Sequence, residues 1–531
     1  STGLVGGSHL FLDAGTTVEN LQGVMYYDRG DFTLLMGDNA SVVATGGATP
    51  RGAEATPGAV RIASYNIENF GGANVTPARL DKLSRVFCQF LGNPDIVGLI
   101  EIGDLPSLDR LAQAINDDEF GHCPDSPAYQ GYLLSNSGSQ RLGYLVRTAA
   151  VANGRPRVEV IEVAEEFATE PLVAPDGSTN SGPLFDRPPL RLQAVVNGVD
   201  SVDGDSYPLT VVLNHNLSLL SVNDLSTRTD AWQTAGNRGR GKRLAQAVRV
   251  GELVEARQAA NPDERIVLIG DFNAFEFSDG YVDVLGIIGG NAAPANEVLL
   301  WADSPVQRPL LNLALTVPQA DRYSYVFQGN IQSLDHVLVN QAVLDSGEVR
   351  LDYVRVNSDF AYDNAGDPTV PVRTSDHDPL VASILPTPAP VETDLALRLT
   401  GPRGAVPSGR LARFEARVSS LGQGEATDAV ARFLVRSAAS RIASIHAPGW
   451  SCDWETVTEG ELVVCLSDAA LASGRCSSIA IEVLAQRTLV HDGILVEGEV
   501  SAEGVDTDPS NNTGSASAKV TGKPLQTPPG R

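Results

Sequence analysis

Residues 265–274 read RIVLIGDFNA, an unbroken apolar run closed by Asp271 and Asn273. A strand with one wet face would alternate, so a short continuous run points to a strand covered on both sides. Five further segments share the pattern: VRIASYNIENF (60–70), DIVGLIEIGD (95–104), LTVVLNHNLS (209–218), SLDHVLVN (333–340) and SDHDPLVASI (375–384). In the segments at 60, 95, 209 and 265 the polar group follows the apolar run, as Asn66, Glu101, His215, and Asp271 with Asn273. In the segments at 333 and 375 it precedes the run, as Asp335, and as Asp376 with His377. In a mixed sheet the ends of strands running one way meet the starts of strands running the other way. All six polar groups are then expected on one edge.

Helical patterns lie between these strands. Thr76 reads as an N-cap and Pro77 as the first helical residue, with Leu80, Leu83, Phe87 and Leu91 at helical spacing before Gly92 and Pro94. A second helix is expected from about 241 to 260, with Leu244, Val248 and Val254 on one face. The central region 59–385 is therefore an α/β layered domain. Two stretches rich in Pro, Gly, Ala and Thr flank it as linkers, GGATPRGAEATPG (46–58) and PTPAP (386–390). The N-terminal 1–50 offers a hairpin, LQGVMYY-DRG-DFTLLM, and too little chain for a core of its own. From 391 to 522 only strand patterns occur (DLALRLT, RLARFEARVSS, AVARFLVRSA, ELVVCL, SSIAIEVLA, ILVEGEVSA), which suggests an all-β sandwich. Residues 523–531 read as a disordered tail.

Composition limits the function classes. With 42% hydrophobic and 20% charged residues the 531-residue chain is globular and divides into several domains. No apolar run approaches the roughly 20 residues of a membrane helix, so a bilayer-spanning protein is excluded. The net charge of −26 argues against packaging nucleic acid by charge neutralisation, but not against gripping a few phosphates at one metal site. The chain begins with Ser, as a mature form or a fragment does, and no export signal is readable. Among five cysteines, Cys452 and Cys465 sit where a hairpin disulfide would form, implying an oxidising compartment, with buried free thiols in a cytosolic protein as the alternative, and no pair has zinc-like spacing. Spacing assigns no partner to Cys88, Cys123 or Cys476.

The residue types at the strand ends specify a chemistry. Asn66, Glu101, Asp271 and Asp376 offer hard oxygen ligands, which suit magnesium or manganese (Mg2+ or Mn2+, with Ca2+ as a further oxygen-seeking choice) rather than zinc. A metal clamped to phosphate offsets charge in an in-line displacement. His377 is placed to deprotonate a water, and Asp335 to orient its imidazole. No serine elbow or P-loop occurs, so direct attack by water is the simplest scheme. Taken singly, each segment also reads as a strand-end turn; the six together do not.

These six segments, in this order, resemble the motif series of the endonuclease/exonuclease/phosphatase superfamily, which includes deoxyribonuclease I. The resemblance implies a four-layer α/β/β/α sandwich for residues 59–385. It implies metal binding by Asn66, Glu101 and Asp376, a His377–Asp335 base dyad, water and phosphate positioning by Asp271 and Asn273, and His215 facing the leaving group or phosphate. Arg187, in FDRPPL, matches a family phosphate-binding arginine. The flanks GLIEIGD, NHNLS and RLAQAVRVGELV are similar to those of large secreted bacterial nucleases, in which an OB-like domain precedes the catalytic one. The hairpin at 21–36 is similar to the last strands of such a domain. GWSC…VVC and DPSNNT resemble closing strands of immunoglobulin-like repeats on bacterial surface proteins. Two positions depart from the family pattern: Leu217 replaces a lysine, and Gly103 an acid.

One cluster bears on substrate. Arg228, Arg238, Arg240, Lys242 and Arg243 lie against Asp230 near a helix start, with Trp232 among them. Cations there oppose the helix dipole, and a polyphosphate would reverse that penalty while Trp232 stacked a base; a solvated loop is the alternative. The leading expectation is a secreted or surface-held, monomeric, metal-dependent phosphodiesterase of nucleic acid, with DNA favoured, localised by its C-terminal domain. A same-fold phosphatase or phospholipase, and a non-catalytic adhesion protein, are the alternatives.

Overall fold

The first unit's two large sheets are made by β1 (Val60–Phe70), β2 (Ile96–Ile102), β3 (Tyr129–Tyr132), β4 (Arg141–Arg147), β5 (Val158–Glu165), β6 (Leu190–Ser201), β7 (Gly204–His215), β8 (Ile266–Asp271), β9 (Leu311–Asn312), β10 (Asp335–Val339), β11 (Gly347–Tyr353) and β12 (Leu380–Pro386). Their orders are β11-β12-β1-β2-β4-β3 and β9-β10-β8-β7-β6-β5. The structure, a computed structural model, describes residues 12–28, 31–36, 43–134, 140–388 and 392–524, and the chain divides into Ser1–Pro388 and Ala389–Arg531.

Successive strand residues point to opposite faces, and here both faces are buried. In β1, Val60 and Ile62 enter one core cluster, while Ala63, Tyr65 and Ile67 enter another. In β8, Val267 and Ile269 join the cluster of Val60, while Ile266 and Leu268 face away from it. The cluster of Val60 thus draws on both sheets. Helices α1 (Pro77–Arg85) and α2 (Leu105–Asn116) bury Leu80, Leu83, Leu108 and Leu111 with the residues of the first sheet's other face. Helices α3 (Ala235–Ala260) and α4 (Val284–Gly289) do the same for the second sheet, through Ala247, Val250, Val254 and Ile288. Full burial of each Leu or Ile is worth roughly 1.5–3 kcal/mol, so these clusters hold the elements more than helix propensity does.

Thr76 caps α1 as expected, its Oγ1 accepting from Arg79 N at 3.3 Å. After Arg85 the helix widens by one residue, Leu91 N donating to Val86 O at 2.8 Å. The second expected helix is corrected at its start. It begins at Ala235, capped by Thr234, because Gly236, Gly239 and Gly241 sit inside it and mask the helical signal. Its buried face is also different: Ala247, Val250 and Val254 are buried, Leu244 and Val248 only partly.

Register brings the polar strand ends together. β7 and β8 run parallel with His215 opposite Asp271, and β10 runs antiparallel to β8 with Asp335 opposite Asp271. β1 and β2 run parallel with Asn66 opposite Ile100, and β12 runs antiparallel to β1, so the start of β12 lies at the end of β1. Gly270 permits the β7–β8 approach: its φ is +141°, and a Cβ there would meet Asn214 O at 2.1 Å.

The N-terminal hairpin pairs Gly23–Asp28 with Asp31–Met36, its turn at 29–30 lying outside the described residues. This piece belongs to the first unit, Ala14 N donating to Asp359 O at 2.7 Å and Asp13 Oδ1 accepting from Ala361 N at 2.8 Å. The expected linker 46–58 is pinned as well, through Arg51 N to Arg355 O and Ala53 N to Phe90 O.

In the second unit one sheet orders Leu395–Thr400, Leu411–Ser420, Cys476–Leu484 and Arg441–His446. The other orders Val406–Pro407, Thr513–Thr521, Gly493–Ser501, Val430–Arg436, Gly460–Ser467 and Trp450–Val457. Alternation is clear in Leu411–Ser420, where Ala412, Phe414, Ala416 and Val418 are buried and the residues between are exposed. Cys452 and Cys465 are bonded across paired strands, a second disulfide joins Cys88 to Cys123, and Cys476 is free and exposed. Residues 389–391 of the expected linker region and 525–531 of the expected tail lie outside the described residues.

Candidate active site

His377 and Asp335 arrive from different elements and meet at 2.7 Å, Nδ1 to Oδ2. Asp335 opens β10, and His377 stands in the loop before β12. The same Asp335 oxygen accepts from Ser324 Oγ at 2.7 Å, which fixes the carboxylate from the other side. With Nδ1 engaged, Nε2 is the free edge of the imidazole, 3.9 Å from Asp271 Oδ2. His215 Nε2 approaches that oxygen from β7 at 3.6 Å. Burial alone would discharge the His377 imidazole, but Asp335, Asp271 and the Asp335 hydrogen bond hold it well above the usual histidine range. Burial raises the Asp271 carboxyl, a shift that a nearby cation opposes. His215 is held neutral by burial, then by Arg187 and His377.

The carboxylate side is built at the ends of β1 and β2. Asn66 Nδ2 lies 3.3 Å from Asp271 Oδ2 and 3.4 Å from Glu101 Oε1. The backbone turns sharply here: Glu68, Asn69 and Glu101 have φ of 45°, 50° and 67°, an uncommon conformation for such residues. The turn lets Asn69 N donate to Glu101 Oε2 at 2.9 Å. Ser375 Oγ donates to Asn66 O at 2.6 Å, joining the loop that carries Asp376 to the end of β1. The Glu68 carboxyl is raised by burial and then by Asp376 and Glu101, so three carboxylates crowd this corner. Such an oxygen-rich, like-charged set fits a hard divalent cation. A second set able to hold a cation is Asp271, Asp335 and His377, whose ligand atoms lie within 4.8 Å of one another. The corner of Asn66, Glu101 and Asp376 is hydrogen-bonded as well, Asn66 Oδ1 accepting from Glu68 N at 3.0 Å and both Glu101 oxygens accepting from Asn66 and Asn69, so a cation there would replace those bonds.

These groups open into a cleft of about 490 Å³ lined by Glu101, Arg187, His215, Asp271, Asn273, Asp376 and His377 with Leu219, Leu220, Tyr325 and Phe327. Asn273, at φ 48°, donates its amide to Asn216 O at 3.1 Å, and its N–H to Asp271 Oδ1 at 2.9 Å. Arg187 donates to Gln140 Oε1 at 3.3 Å and Asn216 O at 3.2 Å, while its Nε is buried without a partner among the described residues.

Of the 228–243 run expected to track phosphate, Trp232, Lys242 and Arg243 are buried, while Arg228, Arg238 and Arg240 are partly exposed. Trp232 is buried, its Nε1 donating to Ser181 Oγ at 3.0 Å, and its ring fills the space a Cβ on Gly241 would need. Lys242 is buried and paired with Asp186 at 2.6 Å. Arg238 donates to Ser181 O at 2.7 Å, Arg240 to Val222 O and to Asn237 Oδ1, and Arg228 to Asp230. Arg243 turns fully inward and clamps two site loops, donating to Leu217 O at 2.6 Å and Asn273 O at 2.8 Å while pairing with Asp279. None of these residues lines the cleft.

One of the two departures from the family pattern, Gly103, has a physical reason. A Cβ at Gly103 would stand 2.8 Å from Gly71 Cα, so an acid does not fit. Leu217 contributes its backbone to the site, its N–H meeting Gln246 Oε1 at 3.0 Å and its carbonyl Arg243. Sequence reasoning missed Ser324, Ser375, Asn357, Asp378 and Glu68. Asp378 was visible in SDHDP; the others carry no signal beyond their types.

The model of the Endonuclease/Exonuclease/phosphatase family matches residues 63–377. No curated protein is similar enough to the chain to match it. Among solved structures, TDP2 from C. elegans is 14% identical, covering 62% of this chain and 75% of its own at a TM-score of 0.35. An endonuclease/exonuclease/phosphatase family protein from Bacteroides thetaiotaomicron is 14% identical, covering 61% and 97% at 0.34. The CARDB domain of the PF1109 protein from Pyrococcus furiosus is 14% identical, covering 24% and 89% at 0.17.

Proposed function

The chain belongs to the endonuclease/exonuclease/phosphatase family, whose members are metal-dependent hydrolases, and we propose that it is a phosphodiesterase acting on nucleic acid outside the cell. The observation that carries the reading is the buried His377–Asp335 pair at 2.7 Å, aimed with Asp271 and His215 at a cleft that also holds Arg187. In this scheme the fraction of His377 that is neutral takes, at Nε2, the proton of a water attacking phosphorus, and Asp335 holds the imidazole by Nδ1 and stabilises the imidazolium that forms. Asp271 and Asn273 orient that water and a phosphate oxygen. Arg187, on the cleft wall, grips the phosphate. His215, kept neutral, faces the leaving oxygen. Asn66, Glu101 and Asp376 would hold Mg2+ or Mn2+, which when bound supplies charge neutralisation at the phosphate. Incubating supercoiled plasmid with the protein should give nicked and linear DNA in Mg2+ and none in excess chelator. Cleavage that survives chelation, or no cleavage of any nucleic acid, would refute the reading.

The finer architecture belongs to the same proposal. The three core clusters support a four-layer helix/sheet/sheet/helix sandwich for the catalytic region, and the two sheets after 391 support an immunoglobulin-like domain suited to display or attachment. The disulfides Cys88–Cys123 and Cys452–Cys465 support an oxidising, extracellular setting. A chain ending at Pro388 should melt cooperatively and keep metal-dependent cleavage within about tenfold of the full chain, tenfold being about 1.4 kcal/mol of barrier. A larger loss in a fragment that still melts cooperatively would make the second unit part of the catalytic machinery.

A further inference from the structure

The cleft is poorly equipped to follow a phosphate backbone. Arg187 is its one lysine or arginine among the described lining residues, and the basic run of 228–243 is spent on internal partners. The chain as a whole carries −26. A protein that holds duplex DNA depends on several phosphate contacts, each contributing to affinity and to its salt dependence.

What the cleft offers beside the catalytic groups is apolar. Leu219 and Leu220 line it from the loop after β7, and Tyr325 and Phe327 from a short hairpin, Tyr325–Phe327 with Asn330–Gln332. Leu220 is 81% exposed and Phe327 39%, so both stand in water beside the reacting groups. The Tyr325 ring lies 4.6 Å from the His377 imidazole, which brings the apolar wall up to the catalytic base. Gln332, on the second strand of the hairpin, adds an amide to the same wall. In a continuous duplex the base faces are stacked on one another and unreachable. An unpaired base presents a flat apolar face with a hydrogen-bonding edge, which matches leucine and aromatic surfaces beside an amide. An acyl chain would use the apolar surfaces but leave the Gln332 amide unanswered.

We propose that Leu219, Leu220, Tyr325 and Phe327 form a base-stacking collar that selects unpaired nucleic acid, such as single strands, loops and frayed ends, over continuous duplex. The inference rests on the nuclease reading and adds a substrate class to it. The collar takes the base beside the scissile phosphate, and Arg187 with the catalytic groups takes the phosphate. The supercoiled plasmid of the previous test is compatible with this, because underwound DNA opens transiently.

The test uses one labelled oligodeoxynucleotide, single-stranded and annealed to its complement, and phosphatidylcholine vesicles, all in Mg2+. The single strand should be cleaved with a kcat/KM about tenfold or more above the duplex, as expected from stacking one base. Leu220→Ala with Phe327→Ala should raise KM on the single strand about tenfold with a much smaller change in kcat, and Phe327→Trp should keep the preference. The slope of log affinity against log salt on the single strand should stay near the roughly −0.7 of one phosphate contact. Equal or faster cleavage of the duplex, or a strand preference unmoved in a double variant that melts like the parent, overturns the collar and leaves the nuclease standing. Hydrolysis of vesicles with neither oligonucleotide cut overturns the nuclease reading itself.

Discussion

His377→Ala should lower kcat by about 10²–10⁴ while the protein remains folded. The imidazole is the one group on the cleft whose Nδ1 is locked by a carboxylate at 2.7 Å while its Nε2 is left for the substrate side. Its removal leaves Asp335 with Ser324 Oγ as a partner, so the buried carboxylate is not orphaned and the fold tolerates the change. Asp335→Asn should fall in the same range, because the amide no longer stabilises an imidazolium. The two losses should not add: residues acting as one unit cost together about what each costs alone. Steady-state cleavage by the purified variants, with melting curves beside them, decides the matter. Near-parental turnover by His377→Ala would remove the base from the scheme. Additive losses would separate Asp335 from His377.

How much of this was legible follows from where the information sits. The six strand ends could be read because each polar residue adjoins an apolar run, and the pairing of Asp271 with both His215 and Asp335 follows from strand direction. The fate of the 228–243 cations could not. A cation at a helix start looks the same in sequence whether it faces water or a partner, and here the partners Ser181, Asp186 and Asp279 lie outside the run, far along the chain. The Cys88–Cys123 bond spans 35 residues and joins the end of the first helical segment to a loop, so no strand pattern announced it. The Phe327 hairpin is short, its strands of three residues each, too little for alternation to register. The sequence therefore disclosed the chemistry more readily than the surface around it. Strand ends obey local rules, whereas the exposure of a loop depends on everything packed against it.

Asp378→Ala should destabilise the catalytic unit by about 3–5 kcal/mol, the usual cost of removing one partner from a buried ion pair. Asp378 follows His377 and is wholly buried. Its Oδ1 accepts from the N–H groups of Val356, Asn357 and Ser358 at 3.0, 2.7 and 3.2 Å, and its Oδ2 lies 3.2 Å from Arg355 Nη1. Burial raises its carboxyl, and Arg355 with these donors pulls it back. Arg355 is itself buried, stacked 3.6 Å over the Tyr323 ring and bonded to the carbonyls of Tyr323 and Asp321. Alanine would leave that guanidinium without its counter-ion, and two buried N–H groups and one partly buried one without an acceptor. The effect should reach the chemistry as well. Asn357, aligned by Asp378, donates to the His377 carbonyl at 2.6 Å and accepts from Thr374 N at 2.9 Å, so it sets the loop on which His377 stands. Asp378→Asn keeps one acceptor and the shape, and should cost less, about 1–3 kcal/mol. Urea unfolding of the parent and both variants, followed by fluorescence, gives the ordering, and kcat below each transition gives the loop effect. A loss under about 1 kcal/mol for alanine, small beside the expected cost of an uncompensated buried charge, would mean that Arg355 finds water or another carboxylate when Asp378 is gone. The loop carrying His377 would then be held by Asn357 and Ser375 alone.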